Sequence, residues 1–157
     1  WKWGLVVPDF ERLTKYIPLL DQADIGIWVI DKENDGTIEH PIQFPFVAYS
    51  KLVSDFIEDV GIFVEENPEL HLTRYGEILE ACGLEWSSQS MSGAIVEDLD
   101  AKVVCALIVG AVRAERFCDG ALLNFFKNGS MMRWLHRLRE INEHTYNDVI
   151  GDKERFK

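Results

Sequence analysis

No phosphate-binding glycine loop, G-x-S-x-G turn, C-x-x-C pair or H-x-x-x-H spacing occurs in this chain of 157 residues. Their absence removes the usual sequence evidence for P-loop nucleotide binding, serine-nucleophile chemistry and a zinc centre. Ser87, Ser88, Ser90 and Ser92 crowd one segment, but without the glycines that would sharpen a nucleophile turn. His40, His71, His136 and His144 are scattered, and Glu39 would point to the opposite face of a strand from His40. The expectation is therefore no metal, no cofactor and no assembled catalytic group.

Cysteine is scarce and odd in number: Cys82, Cys105 and Cys118 lie far apart, which argues against a disulfide framework. Cys105 sits inside an apolar run and reads as a small core residue, so Cys118, beside Arg116 and Asp119, is the thiol to test. Long hydrophobic runs are missing too. The longest, Val103 to Val112, is 10 residues, against the roughly 18 of a membrane span. The opening residues WKWGLVV are too short for a leader with a cleavage site. A cytoplasmic setting with no membrane association is expected.

Positive charge is the other shortage. Sixteen Lys and Arg face 27 Asp and Glu, a net charge of −11. A protein that binds nucleic acid non-specifically needs cations to neutralise phosphates, so no direct nucleic-acid binding is expected. The balance is uneven along the chain. Residues 1–100 carry 6 basic and 20 acidic side chains, a net −14, whereas residues 101–157 carry 10 and 7, a net +3. Docking of a basic C-terminal helix on the acidic part, a charged partner, or mimicry of nucleic acid would each account for this.

What is present is architecture. Apolar residues make up 47% of the chain, enough for a core at this length, and no linker or repeat divides it. One domain over 1–157 is expected, with residues 147–157 a frayed tail. Asp9 is placed to cap a first helix through Phe10, Leu13, Tyr16 and Ile17 that Pro18 ends or kinks. Ile25 to Ile30 is β-branched and aromatic, hence a strand. The turn-forming Asp31–Gly36 leads to a second strand, Thr37 to Val47, interrupted by Pro41 and Pro45 and so irregular or at an edge. Ser50 caps a helix to about Glu65, closed by Asn67-Pro68. Thr73 caps a short helix before Gly83, and residues 84–97 show no period. Asp98 or Asp100 caps a helix over Ala101–Cys118. A short helix around Leu122–Phe126 follows, and Ser130 caps the last one, whose Arg133, Arg137 and Arg139 face outward or toward the acidic half. The fold class is α+β: a mainly helical domain of five or six helices with one antiparallel hairpin near residues 25–48.

The helix over 101–118 carries the most pointed signals. A helix apolar all round belongs in a core. Its Ala106, Gly110, Ala114 and Cys118 recur every four residues and make a ridge of small side chains, suited to close packing against the last helix or the one at 50–65. Its far end carries Arg113, Glu115, Arg116 and Asp119. On a helix Glu115 and Asp119, four apart, repel unless a cation intervenes. The favoured reading is a structural ion-pair network, with the arginines capping carbonyls or pairing with Asp55, Glu58 or Asp59. The functional one is a polar pocket in which the arginines bind a phosphate or carboxylate and Glu115 or Asp119 acts as acid, base or ligand. A third is an interface hot spot built on the arginines. Trp86 with Phe44, Phe46 and Tyr49 could line a groove, although aromatic core packing is the simpler expectation.

The segments DGTIEHPIQFPFVAYS (35–50) and LDAKVVCALIVGAVRAERFCDGALLNFFKNG (99–129) resemble an uncharacterised bacterial family of small proteins classed only as a domain of unknown function. The similarity runs from about Leu13 to Asn142. It implies a bacterial or phage, cytosolic setting and brings no activity. The expectation for function is a non-enzymatic binding or protein-interaction module, with a protein partner or a small anionic ligand. Two rivals remain: an enzyme or sensor acting on a phosphorylated or nucleotide-like small molecule through the Arg/Glu/Asp cluster, and an acidic inhibitor mimicking nucleic acid. Oligomeric state has no signal in the sequence.

Overall fold

Every residue from Val103 to Ala111 is buried, so helix α6 (Ala101–Ala114) is the axis around which the other elements pack. Asp100 opens it, accepting the Val103 N–H at 3.0 Å. The computed structural model describes residues 8–30, 36–39 and 45–155, with side chains through residue 144. Around α6 stand α3 (Lys51–Glu66), α4 (Tyr75–Ala81), α7 (Ala121–Lys127) and α8 (Ser130–Arg155). The short α1 (Glu11–Thr14) and α2 (Ile17–Leu20) close the core against α3 and α8. Leu13, Phe56, Phe63, Leu107, Ile108, Phe125 and Trp134 are among its bulkiest fully buried members. The expected mainly helical α+β architecture is what is observed. No described helix is long and apolar enough to cross a membrane.

The sheet is a two-stranded antiparallel ladder, β1 (Gly26–Val29) with β2 (Phe46–Tyr49), pairing Gly26 with Tyr49 and Val29 with Phe46. The second strand is shorter than the pattern suggests. It starts only after Pro45, because proline brings no ladder donor, and Thr37–Glu39 are bends rather than strand. Residues 31–35 and 40–44 lie outside the described residues, and with them most of the expected turn, His40, Pro41 and Phe44. The side chains of the expected tail, 147–157, lie outside them as well, while the α8 backbone is helical to Arg155.

Several boundaries shift for local reasons. Pro18 does not end the first helix. It occupies the first turn of α2, where a missing N–H costs nothing, and Asp9 accepts from Glu11 N–H without being the cap residue. Ser50 does cap α3, through Val53 N–H. Thr73 caps nothing: the chain passes through His71 at φ 53° into a 3₁₀ turn, Leu72–Arg74, and α4 begins at Tyr75. Residues 84–97, without period in the sequence, hold the short α5 (Ser88–Ser92), capped by Ser87. Ser130 is the first residue of α8 rather than its cap, and Asn128 Oδ1 accepts its N–H.

The ridge on α6 also has different neighbours from those expected. A Cβ added at Gly110 would lie 3.2 Å from Met91 Cε, 3.4 Å from Trp86 Cδ1 and 3.5 Å from Tyr75 Cδ2. At Gly110 the ridge therefore receives side chains from α4 (Tyr75), from α5 (Met91) and from the segment leading into α5 (Trp86), not the backbone of another long helix. Trp86 fixes this arrangement by donating its indole N–H to the Gly110 carbonyl at 2.9 Å. Of the α8 arginines, Arg133 and Arg139 are exposed, as expected. Arg133 donates to the Ser92 carbonyl, and the half-buried Arg137 donates to that of Leu99 while also pairing with Glu140 at 3.3 Å, so both tie α8 to neighbouring backbone.

Candidate functional site

Helix α6 stops at Ala114, four residues short of the expected end, and the reason is Glu115. Its carboxylate turns forward and accepts Gly120 N–H at 2.8 Å and Leu122 N–H at 3.2 Å. Both donors belong to the start of α7, whose first N–H groups have no partners within the helix. The Tyr49 hydroxyl from β2 also donates to Glu115, and it accepts Leu123 N–H at 3.0 Å. One carboxylate and one phenol thus satisfy three backbone donors of α7. Burial first, then the adjacent carboxylate, pushes the Tyr49 phenol well above its usual range. Asp119 is exposed in the same turn and makes no hydrogen bond or ion pair among the described residues.

The turn closes through Gly120, at φ 89°. A Cβ there would stand 2.2 Å from Trp28 Cζ2, so only glycine fits beneath the indole. Strand β1 through Trp28 and strand β2 through Tyr49 therefore both rest on the α6–α7 junction. The hairpin is the clamp that holds it.

Two cavities flank the tip of this turn. One, of about 240 Å³, is lined by Trp86, Met91, Ala114, Phe117, Cys118 and Phe125, with Ser87, Ser88 and Ala121 at its edge. The other, of about 320 Å³, is lined by Thr73, Tyr75, Arg113, Arg116 and Phe117. Phe117 belongs to both and is 76% exposed, and Trp86 is 41% exposed. Tyr75, Trp86 and Phe117 stack edge to face in series, with ring centroids 5.4 and 5.6 Å apart. Arg113 is half-buried and Arg116 exposed. Among the described residues neither guanidinium is part of a hydrogen bond or an ion pair, and no carboxylate lines their cavity.

The ion-pair network expected here is formed elsewhere. Asp59 of α3 pairs with Arg12 at 2.9 Å and Lys15 at 3.3 Å, and the Tyr16 hydroxyl donates to it. Asp55 pairs with Lys51. Asp59 is thus held against α1 and Asp55 within α3, each by its own cations. Of the four residues singled out at the end of α6, Arg113 and Arg116 come together at one cavity, Glu115 is drawn into the α7 cap, and Asp119 stands apart. Tyr75 and Phe117 had no signal beyond their aromaticity. Trp86 lines a groove, but with Phe117 and Phe125 rather than with Phe46 or Tyr49. Among the described residues no group of His, Cys, Asp or Glu is placed to hold a metal ion.

The chain belongs to a family of unknown function (DUF6508), which matches residues 6–144. No curated protein and no solved structure matches it.

Proposed function

We propose that this protein is a non-enzymatic binding module whose recognition face is the α6–α7 turn with Trp86, Phe117, Arg113 and Arg116. One observation carries the reading: Phe117 stays 76% exposed although its ring meets that of Trp86 edge to face, and among the described residues neither Arg113 nor Arg116 is part of a hydrogen bond or an ion pair. An isolated apolar residue at the surface needs no explanation. Here, however, Trp86, Phe117, Arg113 and Arg116 adjoin one another, and aromatic residues and Arg are types enriched where proteins meet partners. The rival reading, an enzyme acting on a phosphorylated small molecule, shares the arginines but lacks the acid or base. Glu115 is occupied by three donors at the α7 cap, and Asp119 contacts neither cavity. The setting proposed with this reading is a bacterial or phage cytosol, where the three free thiols would stay reduced.

The test separates binding from folding. Arg116→Ala and Phe117→Ala should each leave stability within roughly 0.5 kcal/mol of the parent, as surface changes without a structural role do. A pull-down from the native host should retain a partner on the parent protein and lose it on the double variant. Equal retention by both, or a large loss of stability in either single variant, would count against the reading.

A further inference from the structure

Resting on that reading, we infer that the occupant is an acidic segment of a partner polypeptide: one large apolar side chain enters the Trp86–Phe117 groove, and neighbouring carboxylates reach Arg113 and Arg116. The argument starts from the two cavities sharing a wall. Phe117 separates an apolar hollow from a cationic one, so anything filling both must place an apolar group within a residue or two of an anion. A polypeptide does this through adjacent side chains.

Size and polarity favour a side chain over a whole small molecule in the apolar hollow. Sites for small ligands span roughly 300–1,000 Å³, and the groove is about 240 Å³. Its two hydroxyls lie at the edge, where each already accepts one hydrogen bond and keeps its O–H donor. Ser87 takes the N–H of Ser90 at 3.2 Å, and Ser88 takes the amide of Asn124 at 3.1 Å. The remaining lining is Trp86, Met91, Ala114, Phe117, Cys118, Ala121 and Phe125, which offers little to the polar edge of a nucleobase but suits Leu, Met or Phe.

Charge complementarity selects the flanking groups. The chain holds 27 carboxylates against 16 Lys and Arg, yet none of the residues lining the Arg113–Arg116 cavity is acidic. A guanidinium fork matches a carboxylate in two parallel hydrogen bonds. The net charge of −11 does not forbid an acidic partner. At physiological salt, fields are screened beyond about 8 Å, so an approaching carboxylate at this face answers to the charges of the turn, Arg113 and Arg116 against the exposed Asp119, rather than to the whole molecule. Exposed aromatics beside cations are also the usual composition of an interface hot spot.

The test is a selection from a random-peptide display library on the intact chain, with depletion on the Arg113→Ala/Arg116→Ala variant, whose melting curve is checked first. Enriched sequences should join Asp or Glu to a neighbouring Leu, Met or Phe. Synthetic copies should shift the Trp86 indole resonance and the amides of residues 114–121. Their affinity should fall at least about tenfold, the loss of roughly one good interaction, in the double variant, in Phe117→Ser, or when their acidic residues become amides. Raised salt should weaken them as well. Enrichment of neutral or basic peptides, no enrichment over the depleted background, or binding at other resonances would overturn the inference. Phenyl phosphate and adenosine monophosphate serve as the contrasting probes. If they displace the selected peptides and shift the same resonances more strongly, the peptide inference fails while the binding face stands. If neither the peptides nor these probes perturb the face, both fail.

Discussion

Tyr49 and Glu115, 66 residues apart in sequence, are joined by a hydrogen bond from phenol to carboxylate at the mouth of α7. The contact makes the hairpin part of the helix cap. It also fixes where α6 ends, and so where Phe117 and the two arginines are displayed.

Removing the hydroxyl should expose that dependence. Tyr49→Phe keeps the ring but leaves Leu123 N–H without its acceptor, which costs about 1–3 kcal/mol for a buried donor. Glu115→Ala removes the acceptor of two backbone donors and should cost a comparable amount. Because the two side chains act on one cap, the double variant should lose less than the sum. Urea denaturation of the four proteins measures this. Strict additivity would mean that the phenol and the carboxylate stabilise α7 independently.

Gly120→Ala should be among the most damaging single changes in the molecule. The left-handed backbone alone costs about 1–3 kcal/mol for a residue with a Cβ, and here the Trp28 ring must also move. Combining it with Trp28→Ala should recover the part due to the clash and leave the part due to φ. A Gly120→Ala protein that melts like its parent would show the indole does not seat on this turn.

At Gly110 size decides. Alanine brings its Cβ to 3.2 Å from the flexible end of Met91, a small shift offset by the roughly 1 kcal/mol that Ala gains over Gly inside a helix. Leucine must displace Trp86 and Tyr75 as well, an overpacking cost of typically 1–3 kcal/mol. Thermal melts should therefore leave Gly110→Ala near the parent and place Gly110→Leu well below it.

Stability should fall at both ends of the pH scale for separate reasons. Burial works to raise the Asp59 carboxyl, but hydrogen bonds from Tyr16, Arg12 and Lys15 outweigh it and hold the group below its usual range. A depressed carboxyl stabilises the fold above its unfolded value, near 3.9, and that contribution is lost as pH falls through the folded value. Tyr16 and Tyr49 are shifted upward, by burial first and then by their carboxylate partners. Their contribution is complete below about 10 and declines as pH rises beyond it. Asp59→Asn should flatten the acid limb of a stability profile, and Tyr49→Phe the alkaline limb.

Thiol labelling offers a further check. Cys82 and Cys118 are exposed and should react in the native protein. Cys105 is fully buried, its thiol pushed upward by that burial and then by the charge of Asp100, and should react only on unfolding. A peptide seated against Phe117 should protect Cys118 and leave Cys82 unprotected.

Elements whose signals are local were legible in the chain. The apolar run of α6, the Ser50 and Asp100 caps, and the Asn67-Pro68 stop each depend on neighbours within four residues, and each appears where its chemistry places it. Arg113 and Arg116 were legible as candidates because charges at the end of a core helix are conspicuous. What failed were readings that extended a local rule across a tertiary event. Helical spacing put Glu115 and Asp119 on one face, but the helix had already ended. Charge counting paired the arginines with α3, but Arg12 and Lys15 reach Asp59 first.

The sequence by itself therefore determined the helical class, the central helix and the presence of a charged junction, because periodicity, capping and burial act over a few residues and survive without a partner. The tertiary structure alone decided what that junction became. Tyr49 arriving from the hairpin draws Glu115 forward into a cap, Trp28 closes over Gly120, and Trp86 reaches back to Gly110. These contacts join residues 24 to 92 positions apart, which no local pattern encodes, and they leave Phe117, Arg113 and Arg116 facing outward.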